Sequence, residues 1–284
     1  TSSPIGWPAV ADRTATVRSR RPATYVFRFL VIAYVGMLVV WPVGLVAKEA
    51  FADGWDAVWS ALTDPTVTAA VRLTAIVAVT AVICNTVFGV GMSILLVRYR
   101  FPGRRLLSAL VDLPLSVSPV VVGLALVLVY GGRGDWFGPA LESAGVKVIF
   151  ATPGIVLATI FVSLPLVVRE VVPVLQEVGT EQEQAARSLG ASAWQTFWRV
   201  TFPTIRWATV YGVVLSLARA LGEYGAVKIV SGNFVNQTQT ATLVVEQKYQ
   251  EFQQQTSYVA SFVLAGASVL CLIVVSILRP KERS

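Results

Sequence analysis

Residues 180–203, TEQEQAARSLGASAWQTFWRVTFP, form a polar island between two long apolar runs. Thr180 with Glu183, and Ser192 with Gln195, each have the spacing of a capping box. In such a box a hydroxyl takes an orphan backbone N–H and the side chain three residues on reaches back. Gly190 lies between the two boxes, where a left-handed helix stop is cheapest. The spacing predicts a short helix of about nine residues, roughly 14 Å long at ~1.5 Å per residue. A sharp turn follows at Gly190, then a second helix carrying Trp194, Phe197, Trp198 and Thr201 at helical intervals before Pro203.

The rest of the chain is apolar enough to explain why such an island stands out. Of 284 residues 55% are hydrophobic and 14% charged, too greasy for an ordinary soluble domain. Histidine is absent, which removes imidazole bases, His metal ligands and His proton relays. Cys84 and Cys271 fall inside apolar runs and read as small core residues rather than a disulfide framework. No Gly-rich phosphate loop of the G-x-x-x-x-G-K type is present, so ATP is not bound in that way and energy, if used, must come from a partner.

Six runs are long enough to cross a hydrocarbon core of ~30 Å: residues 29–47, 73–97, 106–130, 148–168, 207–230 and 258–278. The expected fold class is an all-α membrane protein with six transmembrane helices, its permease-like body covering 29–278. Residues 1–28 read as a loosely ordered Arg-rich tail and 279–284 as a short basic one. A signal peptide is the competing reading of the first run, because Ala50-Phe51-Ala52 resembles a cleavage site. That run is long and its basic lead extended for such a signal. Phe51, Trp55, Val58, Trp59 and Leu62 repeat as a short helix lying in the outer interface.

Two runs carry unusual residues. The third holds Asp112, Pro114, Pro119 and Gly123, and two prolines disturb two helical hydrogen bonds. Irregular backbone at membrane depth is tolerated where it lines a cavity or is buried in protein. Residues 113–123 therefore read as pore-lining, with Ser116, Ser118 and Pro119 as candidates, or else as a kinked packing helix. In the fifth run Arg219 and Glu223 are four apart and can pair on one helix face, with Gly222, Tyr224 and Gly225 beside them. A lone charge at a helix centre costs roughly 2.5–3.5 kcal/mol on insertion scales, so pairing is expected. The pair either locks helices together or presents Arg219 to a passing anion; both readings stay open here.

The net charge of +7 could suggest nucleic acid, but the basic residues sort by segment. Sixteen of the 23 lysines and arginines fall in the two tails, in the second-to-third loop (Arg98, Arg100, Arg104, Arg105) and around the island (Arg169, Arg187, Arg199, Arg206). Six are counted to the other side (Lys48, Arg72, Arg133, Lys147, Lys248 and, at the outer end of the fifth run, Lys228), and Arg219 is the one left in the membrane. This bias predicts that both termini and the island at 180–203 are cytoplasmic.

The island also carries a family resemblance. Gln184-Ala185-Ala186, three residues, Gly190, nine residues and then Val200-x-Phe202-Pro203 resembles the Glu-Ala-Ala loop of ABC importer permeases. Gln184, Val200 and Phe202 stand where that pattern has Glu, Ile and Leu, and Glu183 keeps a carboxylate one residue earlier. Farther on, ARALGEYGAVKIVSG at 218–232 is similar to the fifth-span region of permeases for tetrahedral oxyanions. Residues 237–249 and Trp194–Ser216 resemble the W-type subunit of sulfate/thiosulfate importers more closely.

The resemblance spans roughly residues 70–275 and implies a type I ABC importer permease (MetI-like/ModB-like) fold in a bacterial inner membrane. It implies that Thr180, Glu183, Gln184, Ala185, Ala186, Leu189 and Gly190 dock into a cytoplasmic ATPase. Ser116, Ser118, Pro119, Arg219, Gly222, Glu223, Tyr224 and Gly225 become pathway candidates. The implied partners are a homologous T/U-type permease, two ATPase copies that bind ATP and Mg, an extracytoplasmic sulfate-binding protein and lipid, with no nucleic acid. This chain itself would bind no cofactor and catalyse nothing. A molybdate or phosphate permease is the nearest alternative. A stand-alone secondary transporter would show related halves and ion-coupling carboxylates or histidines. A membrane-embedded enzyme has little support, with no His, no metal-ligand cluster and no nucleophile elbow in the sequence.

Overall fold

The computed structural model describes residues 22–132 and 136–278. The tail expected over 1–28 thus lies outside the described residues up to position 21, as do Arg133 and the segment 279–284. Two units are distinguished, Thr1–Gly44 and Leu45–Ser284. In the first, α1 (Pro22–Val35) passes through a π-helical stretch, Gly36–Val40, and its apolar side chains, Phe27, Ile32 and Met37 among them, are exposed. The helix α2 (Trp41–Ala50) continues into the second unit.

The second unit contains α3 (Trp55–Thr63), α4 (Pro65–Arg98), α5 (Arg104–Ser116), α6 (Pro119–Tyr130), α7 (Gly138–Ser143) and α8 (Thr152–Val178). It continues with α9 (Glu181–Ser188), α10 (Ala193–Thr196), α11 (Phe202–Leu221), α12 (Gly225–Ser231), α13 (Ala241–Gln250) and α14 (Gln254–Leu278). Among the described residues there is no strand. Among the described residues, five helical stretches are long and apolar enough to cross a membrane: Tyr25–Ala50, Pro65–Arg98, Thr152–Val178, Ala193–Leu221 and Gln254–Val274. The pair α5 and α6, bent by 113° at the break between them, makes a sixth when taken as one span.

The bundle core is formed where α4, α8 and α11 meet. Helix α4 starts eight residues before its uncharged run because Asp64 accepts from the N–H of Thr66 at 2.7 Å and Pro65 takes the first turn. It is apolar all round, as a helix between lipid and protein must be. Gly89 of α4 and Gly212 of α11 both face Val167 of α8. A Cβ at Gly89 would come within 2.9 Å of the Val167 Cβ, and one at Gly212 within 2.9 Å of its Cα. Small residues let helix backbones approach where no water drives them together. Asn85 adds a polar tie, its Nδ2 donating to Ser163 Oγ at 2.8 Å and to the Ile160 carbonyl at 3.2 Å.

Helix α8 runs ten residues past the apolar run that suggested its end at 168, through Arg169, Glu170 and Pro173. The charge at Arg169 is tolerated because its Nε lies 2.9 Å from Asp112 Oδ1 of α5. The fifth run is not one helix either. Helix α11 ends at Leu221, and α12 begins only at Gly225, so Gly222–Tyr224 form a break. That break meets the one between α5 and α6, where Val117 and Ser118 are extended. A Cβ at Gly225 would sit 3.1 Å from Pro119 Cβ, and one at Gly123 only 2.8 Å from Ile229 Cβ. Two interrupted helices therefore pack break against break.

The polar passage after α12 is built rather than loose. Thr238, Gln239 and Thr240 are buried, Ala241 N donates to Thr74 Oγ1 at 2.9 Å, and Lys248 Nζ reaches Asp64 Oδ2 at 3.2 Å. Trp55 and Trp59 on α3 are exposed while Val58 and Ala61 pack inward against Val259, as an interface-lying helix requires.

Candidate functional site

The island folds as a knuckle at the end of the bundle where α4, α8 and α11 converge. Helix α9 takes eight residues and stops at Gly190, whose φ of +88° is the left-handed conformation that glycine adopts without strain. Leu189 N donates to the Ala185 carbonyl at 3.1 Å and Ala191 N to that of Ala186 at 3.0 Å, closing the helix end. Ser192 and Gln195 form the reciprocal capping box at 3.2 and 2.9 Å. Leu189 is 89% exposed, and Gln184, Ala185 and Trp194 are exposed with it, while Ala186 is half-buried.

The first capping box does not form. Thr180 is the N-cap without a side-chain bond to the backbone, and its Oγ1 accepts instead from Gln184 Nε2 at 3.0 Å. Glu183 turns inward, where it is buried. Arg98 Nε lies 3.1 and 3.0 Å from its two oxygens, and Thr201 Oγ1 donates to Oε1 at 3.0 Å. Arg98 also donates from Nη1 to the Leu175 carbonyl at 3.0 Å. A tertiary charge partner outcompetes the local backbone for the carboxylate, because a buried carboxylate needs a cation more than an exposed cap needs an acceptor. One carboxylate thereby ties α9 to the ends of α4 and α8 and to the entry of α11. Arg98, 85 positions away, carries no sequence signal of this partnership.

The second cluster sits at the paired breaks. Arg219 Nη1 lies 2.7 Å from Glu223 Oε2, and Glu223 is buried. Its Oε1 accepts from Ala226 N at 3.0 Å, and its carbonyl accepts from Thr242 Oγ1 at 2.9 Å. The pair thus closes the break rather than lying along one continuous helix face, and Arg219 keeps a side chain 39% exposed. Lys228 Nζ donates to Tyr224 Oη at 2.7 Å and pairs with Glu246. Ser116 and Ser118 are exposed at the α5–α6 bend, Pro119 is in contact distance of Gly225, and Gly222 is exposed. Among the described residues, no group of three His, Cys, Asp or Glu side chains is placed to hold a metal ion.

Comparison with known proteins points one way. Residues 85–283 match the family described as binding-protein-dependent transport system inner membrane component. The chain is 48% identical over 250 residues to the sulfate transport system permease protein CysW of Synechococcus elongatus, covering 88% of this chain and 87% of that one. It is 43% identical to CysW of Escherichia coli K12, with 86% of each covered. It is 38% identical to the sulfate transport system permease protein CysT of the same organism, covering 88% of this chain and 90% of that protein. In structure it resembles a bacterial ABC transporter involved in the import of the acidic polysaccharide alginate, with a TM-score of 0.75 at 15% identity. That likeness covers 92% of this chain and 96% of that one.

Proposed function

This chain belongs to the binding-protein-dependent transport system inner membrane components, and from that membership we propose that it is a permease subunit of an ATP-driven sulfate importer. The observation that carries the reading is identity of 38–48% over most of the chain to sulfate permeases of both the CysW and CysT kinds. The knuckle supports it from the side of geometry. An exposed, rigidly capped helix at the convergence of three spans is the surface a separate motor can push. We assign Thr180, Gln184, Ala185, Ala186, Leu189 and Gly190 to contact with a cytoplasmic ATPase, and Glu183 to holding that surface on the bundle.

The chain pairs in this reading with a homologous T/U-type permease, two ATPase copies carrying ATP and Mg, and an extracytoplasmic sulfate-binding protein. Both termini and the knuckle face the cytoplasm. The paired breaks, with Ser116, Ser118, Pro119, Arg219, Gly222, Tyr224 and Gly225, border the pathway, and Glu223 fixes Arg219 there. This chain contributes no catalysis; hydrolysis belongs to the ATPase.

The test is sulfate-dependent ATP hydrolysis by the complex reconstituted with its second permease, ATPase and binding protein. Stimulation by sulfate, with molybdate and phosphate as weak competitors, is expected. Preference for molybdate or phosphate would transfer the substrate to those anions, and uptake by the isolated chain would overturn the permease-subunit reading.

A further inference from the structure

Helix α5 carries Arg104, Ser108, Asp112 and Ser116 at successive intervals of four, so these polar side chains share one face. The opposite side is apolar and includes exposed Leu106 and Leu110. Along the same face lies Arg169 of α8, its Nε 2.9 Å from Asp112, and the two side chains remain 57% and 45% exposed respectively. Arg104, Ser108, Asp112, Arg169 and Gln176 line one cavity between α5 and α8. Asp112 is eight residues, about 12 Å, along α5 from Arg104, within the bent pair α5–α6 that makes a sixth span when taken as one. A half-exposed ion pair at that position cannot face hydrocarbon, since each such charge costs roughly 2.5–3.5 kcal/mol or more there. Such a pair is tolerated where it is buried against protein or lines a water-filled cavity, and the cavity between α5 and α8 offers the second.

The contrast with Arg219 is instructive. Glu223 is almost fully buried and anchored by a backbone N–H, so its arginine is held by a fixed partner. Asp112 is half open, and an incoming anion can take its place on Arg169. Two arginines against one aspartate also leave the cavity wall positively charged. The stripe ends at Ser116, beside the break where α6 starts and Pro119 meets Gly225.

We propose that the α5 stripe and Arg169 line a water-filled half-channel opening at the α9 end, in which Arg169 is a contact for a tetrahedral oxyanion after it passes the paired breaks. Asp112 holds that guanidinium in place between ions and yields it to each one. The half-channel rests on the permease reading above; the identity of the anion rests on its substrate assignment.

Single cysteines at Ser108, Ser116 and Leu110, each made with Cys84→Ala and Cys271→Ala in the assembled complex, test it with a membrane-impermeant sulfonate-bearing thiosulfonate. Modification of S108C and S116C at least about tenfold faster than of L110C is expected, as for water against lipid exposure. Millimolar sulfate should slow modification of S108C, and Arg169→Gln should abolish that protection while Arg169→Lys keeps part of it. Asp112→Asn should lower the sulfate concentration needed for protection. If S108C and S116C react no faster than L110C, the half-channel is wrong. Fast labelling that no anion slows removes the role of Arg169. Protection by molybdate or phosphate but not sulfate upholds the half-channel and overturns the sulfate assignment instead.

Discussion

Glu183 shows at the scale of one residue how a side chain can be legible in kind and illegible in role. Its spacing from Thr180 suggests a local cap, yet the carboxylate is claimed by Arg98 and Thr201. Both members of the ion pair keep side chains only 11–12% exposed, so removing one strands the other. Arg98→Gln or Glu183→Gln alone should destabilise the detergent-solubilised protein by about 3–5 kcal/mol. The double variant should lose less than the two singles combined, as thermal unfolding would show; full additivity would mean the pair is not coupled. Gly190 was readable outright, because a helix stop between two caps demands the φ it adopts. A Cβ there meets no atom within 4 Å, so Gly190→Val carries only the left-handed backbone penalty of about 1–2 kcal/mol. We expect that variant to insert normally but to lose stimulated ATP hydrolysis in the complex; unchanged stimulation would count against the contact assigned to the turn.

Among the elements, the broken third span follows from Pro114 and Pro119, and the structure places the break at Val117–Ser118 between them. The break in the fifth run carries no proline, and Gly222 and Gly225 alone do not distinguish a helix end from a close approach within one helix. The extension of α8 past Arg169 was equally hidden, since its compensating charge, Asp112, lies on another helix. Helix α4 offers a pH test. Burial raises the Asp64 carboxyl pKa, but the Thr66 N–H and Lys248 together outweigh it and hold the group below its ordinary value. A depressed folded-state pKa contributes stability above the unfolded pKa, lost as pH falls through the folded value. Melting temperature should therefore drop as pH falls below about 4, and Asp64→Asn should flatten that drop. At neutral pH Asp64→Ala should cost about 0.5–2 kcal/mol, the range for a lost N-cap, whereas Asp64→Asn keeps a capping oxygen and loses mainly the charge facing Lys248.

For the whole molecule, the all-α membrane class was legible in run lengths, and the placement of arginine predicts a sidedness that labelling can test. What composition could not expose is how the spans lean on one another, which depends on glycine contacts with no periodic signature. Thiol labelling measures that sidedness directly. A cysteine at Gly190 should be labelled only when an impermeant thiol reagent reaches the cytoplasmic face, and one at Asn236 only from outside. Reversed labelling would invert the assignment of the knuckle to the ATPase.

Val167 is wedged between the backbones exposed by Gly89 and Gly212. Its branched side chain acts as a spacer of fixed width: a bulkier residue there, or a side chain on either glycine, would pry three backbones apart at once.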